Sequence, residues 1–179
     1  MGDKIEFIKM NIFFLSFSPR EAARLHCDKH VVKMILESTQ LLYSAHWTLN
    51  PEGLPENAYK IAHKNHPCSI WVRTSISNYM WLASLGVCLC KEYQYRYGEH
   101  KLHKSEAHIL WLLNNPPNSI PIRGFTNPVL AMPIEYKKDD PVESYKLYYI
   151  ESKMKQRNIV KYTKREWPEF LLMHKDLSE

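Results

Sequence analysis

The sequence has little glycine and no long hydrophobic run, and each shortage excludes a class of protein. Only 5 of the 179 residues are glycine and β-branched runs are few, which favours helices over a β-sandwich or barrel. No apolar run approaches the ~20 residues that span a bilayer. Residues 1–9 contain acidic side chains and no apolar core, so we expect neither a signal peptide nor a membrane partner.

The cysteines lack the spacing of a metal or redox site. The four cysteines, Cys27, Cys68, Cys88 and Cys90, form no C-x-x-C pair. They are typical of reduced core residues in a cytoplasmic or nuclear compartment. The sequence therefore predicts an intracellular protein without disulfides.

The composition is that of one soluble domain. Hydrophobic residues make up 45% of the chain and charged residues 24%. A chain of this length buries about 70% of its unfolded surface, enough for one core. We expect an extension at residues 1–9 followed by a single helical domain at 10–179. The net charge of +5 permits nucleic-acid binding without demanding it, and nothing in the sequence specifies an oligomeric state.

Capping signals predict a mostly α fold. Ser18-Pro19-Arg20-Glu21 is typical of a capping box and predicts one long buried helix from Pro19 to about His46. A second helical pattern runs from Pro67 to Tyr97 and stops at Gly98. Further signals predict a short helix near residues 56–63, another at 105–113, and a third opened by a cap at Asp140. A capping box at Thr163–Glu166 predicts a brief turn before Trp167-Pro168. A proline-rich loop at residues 115–140 precedes the C-terminal helix.

Polar residues on the first helix form a candidate site. Their spacing of 4, 3, 4, 3, 4 places them on one side of a helix, and they are His26, His30, Lys33, Glu37, Gln40 and Ser44. Such a stripe often faces only solvent. However, histidine and glutamate in successive turns shift each other's pKa and suit acid–base chemistry. We predict that the stripe lines a cleft, with Glu37 at its centre.

Other residues are candidates for contacting nucleic acid. Arg73 lies on an aromatic helix and needs either a carboxylate partner, Glu37 or Glu92, or a phosphate. Basic loops and a tyrosine-rich helix could contribute phosphate and base contacts. The complete predicted set is His26, Lys29, His66, Arg73, Lys101, Lys104, Tyr145 and Tyr149.

A metal-dependent hydrolase is an alternative. His26 and His30 stand at i and i+4 and could ligate zinc with help from Asp28. The chain has no H-E-x-x-H motif and no third ligand at motif spacing. The sequence therefore predicts no metal and no other cofactor.

Longer segments resemble known viral sequences. From Met10 onward, MNIFFLSFSPREAARLHCDKHVVKMILES, HKNHPCSIWVR and DPVESYKLYY resemble an uncharacterised family of phages and large DNA viruses. More remotely, the chain resembles phage-type pyrimidine-dimer DNA glycosylases of the endonuclease V kind. Asp28-Lys29-His30 matches their D-x-H, Glu37 follows His30 by seven positions, and residues 144–149 are similar to their aromatic C-terminal run.

The second resemblance implies a function. It implies a small, helical, cofactor-free DNA glycosylase and AP lyase acting on damaged pyrimidines. Glu37 would stabilise the sugar cation and the ring-opened intermediate, and His30 would orient the substrate. The family's nucleophile is a terminal α-amine, which here corresponds to Asn11, but nine residues precede Met10-Asn11. Either synthesis starts at Met10, or Lys29 or Lys33 supplies the amine, or lyase chemistry is absent and the protein is a non-catalytic viral nucleic-acid-binding protein.

Overall fold

The protein is a bundle of α-helices around one core. The structure is a computed structural model that describes residues 11–154 and 160–173. Within these ranges it has seven α-helices and no strand, which confirms the mostly α prediction. The helices are α1 (Pro19–Leu25), α2 (Asp28–Leu49), α3 (Pro67–Thr74), α4 (Ile76–Tyr97), α5 (Glu106–Asn114), α6 (Pro141–Met154) and α7 (Glu169–Leu172).

The two longest helices, α2 and α4, pack against each other and organise the core. Helices α1, α3 and α5 pack around this pair. The segment before α1 crosses the core, with Phe14 and Leu15 fully buried and the Phe14 ring stacked on Trp81 at 4.5 Å. Each fully buried Phe or Leu side chain stabilises the fold by about 1.5–3 kcal/mol. This burial fixes the path of the chain from Asn11 into the core.

The predicted long first helix is interrupted. His26 and Cys27 are extended, so α1 ends at Leu25 and α2 begins at Asp28. Backbone groups exposed by the break find distant partners. The Arg96 guanidinium donates to the His26 carbonyl at 2.8 Å, and the Cys27 N–H donates to the Tyr149 hydroxyl at 2.8 Å. Tertiary hydrogen bonds therefore stabilise a break that local periodicity does not reveal.

Two further helix predictions need correction. The 67–97 pattern divides at Ser75, which is extended and accepts from the Asn78 N–H as the cap of α4. The segment 56–63 is not helical, because its backbone bonds to α2 instead. The Trp47 indole donates to the Tyr59 carbonyl, and Ser44 bonds both backbone groups of Ala62.

The predicted caps have different outcomes. The Ser18 hydroxyl accepts from the Glu21 N–H, and Asp140 accepts from the first turn of α6, so both caps are confirmed. Gly98 ends α4 as predicted. The Thr163 side chain does not cap, because its hydroxyl donates to the Asp28 carboxylate at 2.6 Å. The predicted brief turn is present, with the Arg165 N–H donating to the Tyr162 carbonyl at 3.1 Å.

A buried ionic network joins α2, α4 and the C-terminal segment. The Arg96 side chain has no exposed surface and donates to Asp28 at 3.0 Å and to Glu92 at 2.9 Å. Arg165 also donates to Glu92, at 2.8 and 3.0 Å. Burial alone would raise the pKa of Asp28 and of Glu92, but hydrogen bonds from Thr163 and the two arginines outweigh it and lower both pKa values. The network ties the start of α2 to α4 and to the C-terminal segment.

No helix in the described part of the chain is both long and apolar enough to cross a membrane.

Candidate active site around Glu37

The backbone nitrogen of Asn11 lies next to the Glu37 carboxylate. The Asn11 N–H donates to Oε2 of Glu37 at 3.1 Å, although the two residues are 26 positions apart. Helix α2 supplies Glu37, and the buried segment that starts at Ile12 supplies Asn11. The two residues that the glycosylase resemblance assigned to nucleophile and carboxylate therefore meet in space.

The side chain of Asn11 is held on both of its polar atoms. Its Nδ2 donates to the Ala131 carbonyl at 2.9 Å, and its Oδ1 accepts from the Ile12 N–H at 2.8 Å and lies 3.3 Å from the Tyr145 hydroxyl oxygen. The Cys68 thiol also points at Oδ1, at 3.7 Å. We call Ala131, Tyr145 and Cys68 the Asn11 clamp. These residues contact the Asn11 side chain, while the Asn11 backbone nitrogen faces Glu37.

Glu37 is a buried carboxylate with two nitrogen partners. It is 6% exposed, and its Oε1 lies 3.2 Å from the Lys33 amine, whose side chain is half exposed. Burial raises the pKa of Glu37, and the Asn11 N–H, Lys33 and His63 lower it, so that the pKa stays above its ordinary value. A carboxyl group with a raised pKa is suited to taking up and releasing a proton.

A loop in an unusual conformation adjoins this carboxylate. His63 has a φ of 51°, a left-handed conformation that costs a non-glycine residue roughly 1–2 kcal/mol. The Arg73 guanidinium holds the loop by donating to the Lys64 carbonyl at 2.6 Å. Arg73 therefore bonds a loop carbonyl rather than Glu37 or Glu92. His66, in the same loop as His63 and Lys64, caps α3 by accepting from the Cys68 N–H at 3.1 Å.

His30 lies inside the protein beside this site. Its ring stacks on Phe13 at 4.7 Å and contacts the edge of Tyr149 at 5.3 Å. It is 6% exposed. His30 thus supports the segment that carries Asn11, and its predicted role in orienting substrate stays a prediction.

The polar stripe of α2 is mostly buried. His30, Glu37 and Ser44 face inward under the N-terminal segment and the 59–63 segment. The exposed side of α2 instead carries Lys29, Val32, Lys33 and Leu36. Glu37 therefore does not lie on the exposed surface, and the cleft around it stays a prediction.

Three of the predicted nucleic-acid contacts are exposed lysines near α2. Lys29, Lys101 and Lys104 are exposed. The loop between α4 and α5 that carries the last two also places His103 against the backbone of Val32. Lysines from two segments therefore flank the exposed side of α2.

Three other predicted contacts are core residues. The side chains of His26, Tyr145 and Tyr149 have no exposed surface. The His26 ring bonds the Ala22 carbonyl at 2.6 Å, and Tyr145 donates to the Val129 carbonyl at 2.6 Å. In this conformation a nucleic acid would not reach them, so we assign them to the core.

The residues of the hydrolase alternative have other partners. Both Asp28 oxygens are hydrogen-bonded, to Arg96 and to Thr163. The His26 and His30 rings are 6.4 Å apart. Across residues 11–154 and 160–173, no group of three or more His, Cys, Asp or Glu residues is arranged to hold a metal ion.

A large groove lies elsewhere on the protein. It has a volume of about 700 Å³ and is lined by the segment before α1, by α6 and by α7, including Phe17, Lys146 and Phe170. Neither Glu37 nor Asn11 lines it. The chemistry of Glu37 gives a stronger reason to assign function than the size of this groove.

Three neighbours of the Asn11–Glu37 pair were not predicted from the sequence, and they are His63, Cys68 and Ala131. The left-handed conformation of His63 has no sequence signal, because the residue is not glycine. Ala131 acts through its backbone carbonyl, which every residue has.

The chain matches one known protein family over residues 10–105. The model of the pyrimidine dimer DNA glycosylase family matches residues 10–105, more than half of the chain. The match starts at Met10 and includes Asn11, His30, Lys33 and Glu37. No curated protein and no solved structure matches the chain significantly.

Proposed function

Because the chain belongs to the pyrimidine dimer DNA glycosylase family, we propose that it removes damaged pyrimidines from DNA by amine attack on the deoxyribose. The observation that carries the proposal is the 3.1 Å contact between the Asn11 nitrogen and the Glu37 carboxylate. It places a nitrogen beside a buried carboxylate that can act as its general base.

The reaction moves two protons away from the attacking nitrogen. The amine forms a bond to C1′ as the glycosidic bond breaks, and the departing base takes one proton. Opening the sugar ring transfers the second proton to O4′ and leaves a C=N bond between enzyme and sugar. The Glu37 carboxylate is placed to accept and return protons at the nitrogen and to stabilise the cationic intermediates. The damaged nucleotide must leave the base stack to reach it.

The attacking nitrogen has to be an amine. In the printed chain Asn11 follows Met10, so its nitrogen is an amide whose lone pair is delocalised into a carbonyl. A chain that begins at Asn11 would present an α-amine at the same position, with an ordinary pKa of about 7.7–8.0. The Lys33 amine, 3.2 Å from Glu37, is the second candidate and needs no change of the chain.

Borohydride trapping tests the proposal and separates the two nitrogens. The full chain and a form beginning at Asn11 would be incubated with duplex DNA containing a pyrimidine dimer or an abasic site, with and without the change Lys33→Gln. We expect the form beginning at Asn11 to give a covalent adduct, and Lys33→Gln to leave it in place. Mass analysis of the cross-linked peptide locates the modified nitrogen.

The alternative results are equally specific. Trapping by the full chain that Lys33→Gln abolishes would assign the nucleophile to Lys33. If neither form yields an adduct or releases base, the glycosylase proposal fails and a non-catalytic DNA-binding protein remains.

Exposed lysines beside α2 support a DNA-binding surface. Each phosphate contact contributes about −0.9 to the slope of log affinity against log salt. Lys29, Lys101 and Lys104 alone predict a slope of about −3, and adding Lys33 and Arg73 makes it about −4.5. We expect a measured slope between these values for duplex DNA.

Charge removal locates that surface. Changing both Lys101 and Lys104 to Gln should make the slope shallower by about 2. Arg20→Gln, which removes a charge from α1, is the control and should leave the slope nearly unchanged. If the slope changed by the same amount per charge removed in both variants, net charge rather than these positions would govern binding.

A further inference from the structure

We propose that the Asn11 clamp, and Tyr145 in particular, is a positioning device that aims the nitrogen of residue 11 at Glu37. The inference rests on the proposed function and deepens it. Tyr145 contacts the Asn11 side chain and the backbone of residues 129–131. It does not touch the reacting atoms, so any effect on the reaction passes through these contacts. Two of the three clamp residues, Ala131 and Tyr145, lie outside the segment that the family model matches.

The contacts of Tyr145 form a short relay. Its hydroxyl donates to the Val129 carbonyl at 2.6 Å and accepts from the Ala131 N–H at 3.4 Å. Those bonds fix the peptide that presents the Ala131 carbonyl to Nδ2 of Asn11 at 2.9 Å. The same hydroxyl lies 3.3 Å from Asn11 Oδ1. One buried hydroxyl therefore orders the Ala131 carbonyl that binds Asn11 Nδ2, and it packs against Oδ1.

A nitrogen at the end of a chain needs such a restraint. A terminal residue has no preceding peptide bond to fix its direction, and termini are poorly ordered unless they are tied down. The side chain of Asn11 supplies the restraint, since its Oδ1 accepts from the Ile12 N–H at 2.8 Å as well as from the clamp. Misplacing a reacting group by about 1 Å can slow a reaction by about 10²-fold.

Two substitutions loosen the clamp without removing the nitrogen. In the form that begins at Asn11, which keeps every described residue, Asn11→Ala removes all side-chain bonds but retains the backbone amine. We expect its single-turnover trapping rate to fall about 10²-fold. Tyr145→Phe keeps the buried ring and removes the hydroxyl, and we expect a loss of about three- to tenfold, the size of one hydrogen bond.

The control is Tyr148→Phe on the same helix. Tyr148 is half buried and its ring contacts Phe13 and Tyr136, so the change removes a hydroxyl of similar kind. It should trap at the rate of the unsubstituted protein. The affinity for DNA should be the same in all forms, because positioning affects the chemical step alone.

A second measurement does not depend on activity. The pKa of the amine at position 11 can be followed by the pH dependence of its reductive methylation. Glu37→Gln should lower this pKa in the clamped protein, because a nearby carboxylate favours the charged amine. In Asn11→Ala and in Tyr145→Phe the same change at Glu37 should have less than half that effect.

The outcomes distinguish the two proposals. A slower trapping rate with unchanged DNA affinity and reduced amine–carboxylate coupling supports the clamp. The clamp would be overturned if Asn11→Ala and Tyr145→Phe trapped DNA as fast as the unsubstituted protein, or if their DNA affinity fell in proportion to the lost rate. It would also be overturned if Glu37→Gln shifted the pKa of the amine by the full amount in both variants. If the unsubstituted protein does not trap DNA, the proposed function fails, and the coupling measurement alone decides whether residue 11 is held at Glu37.

Discussion

Replacing Glu37 by glutamine is expected to slow imine formation about 10²–10³-fold while the affinity for DNA stays nearly unchanged. Glutamine keeps the shape of the side chain and can still accept a hydrogen bond from the Asn11 nitrogen, which lies 3.1 Å from Oε2 in the native protein. It lacks the negative charge that stabilises the cationic sugar, and it cannot accept the proton that the attacking amine must lose. The measurement is the single-turnover rate of borohydride trapping.

The same change should make the protein more stable at neutral pH. Burial raises the pKa of Glu37 more than Asn11, Lys33 and His63 lower it. A group whose folded-state pKa is raised contributes its stability below the unfolded value of 4.5 and loses it as pH rises through the folded value. Glutamine resembles the protonated form at every pH.

Unfolding curves at two pH values test this sign. The unfolding midpoint of Glu37→Gln should exceed that of the native protein at pH 8, and the difference should vanish near pH 4. A variant that is both inactive and less stable at pH 8 would indicate that Glu37 serves the fold, and the catalytic assignment would lose its support.

Replacing Arg96 by methionine is expected to destabilise the fold by about 3–5 kcal/mol. The Arg96 side chain is fully buried, and its removal leaves Asp28 and Glu92 without their shared cation. It also leaves the carbonyls of Arg24 and His26 at the α1–α2 break without a donor. For a chain of this size the loss corresponds to a fall in Tm of about 6–20 °C.

Low pH should reduce the difference in stability between the native protein and Arg96→Met. The pKa values of Asp28 and Glu92 are lowered in the folded protein, so their contribution is present above the ordinary values of 3.8 and 4.5 and disappears as pH falls through the lower folded values. The gap between native protein and Arg96→Met should therefore narrow below about pH 4.

An exposed ion pair provides the control. Arg24 and Glu21 lie 4.0 Å apart with about half of each side chain exposed, and Arg24→Gln should cost no more than about 0.5 kcal/mol. A loss from Arg96→Met as small as this would show that the network is not important for stability.

The sequence predicted what local rules determine. The caps at Ser18 and Asp140 depend on residues within one turn, and the stop at Gly98 depends on its φ of 130°. Glu37 was found by its spacing from His30 and by a family resemblance. The caps, the stop at Gly98 and the spacing of His30 and Glu37 are all signals within a few turns of the chain.

The errors arise where distant residues compete with local ones. Periodicity runs through His26, but Arg96 and Tyr149 bond the backbone there and stabilise an extended conformation. Thr163 has the form of a cap, but it binds Asp28, 135 positions away. Of the predicted stripe, His30, Glu37 and Ser44 share the buried side of α2, whereas Lys33 is exposed and His26 precedes the helix. The segments that cover the buried side cannot be inferred from the spacing.

The Asn11 clamp also has a consequence for biosynthesis. Asn11 contacts Ala131 and Tyr145, which are 120 and 134 positions downstream. The start of α2 bonds Lys161 and Thr163, so neither set of contacts can form until the downstream residues have been synthesised. Contacts this distant in sequence form late, because the loop they close must first be ordered. A ribosome-bound chain that ends before residue 145 therefore lacks the parts that order its amino-terminal region. The contact between the Asn11 nitrogen and Glu37 is therefore a property of the finished chain.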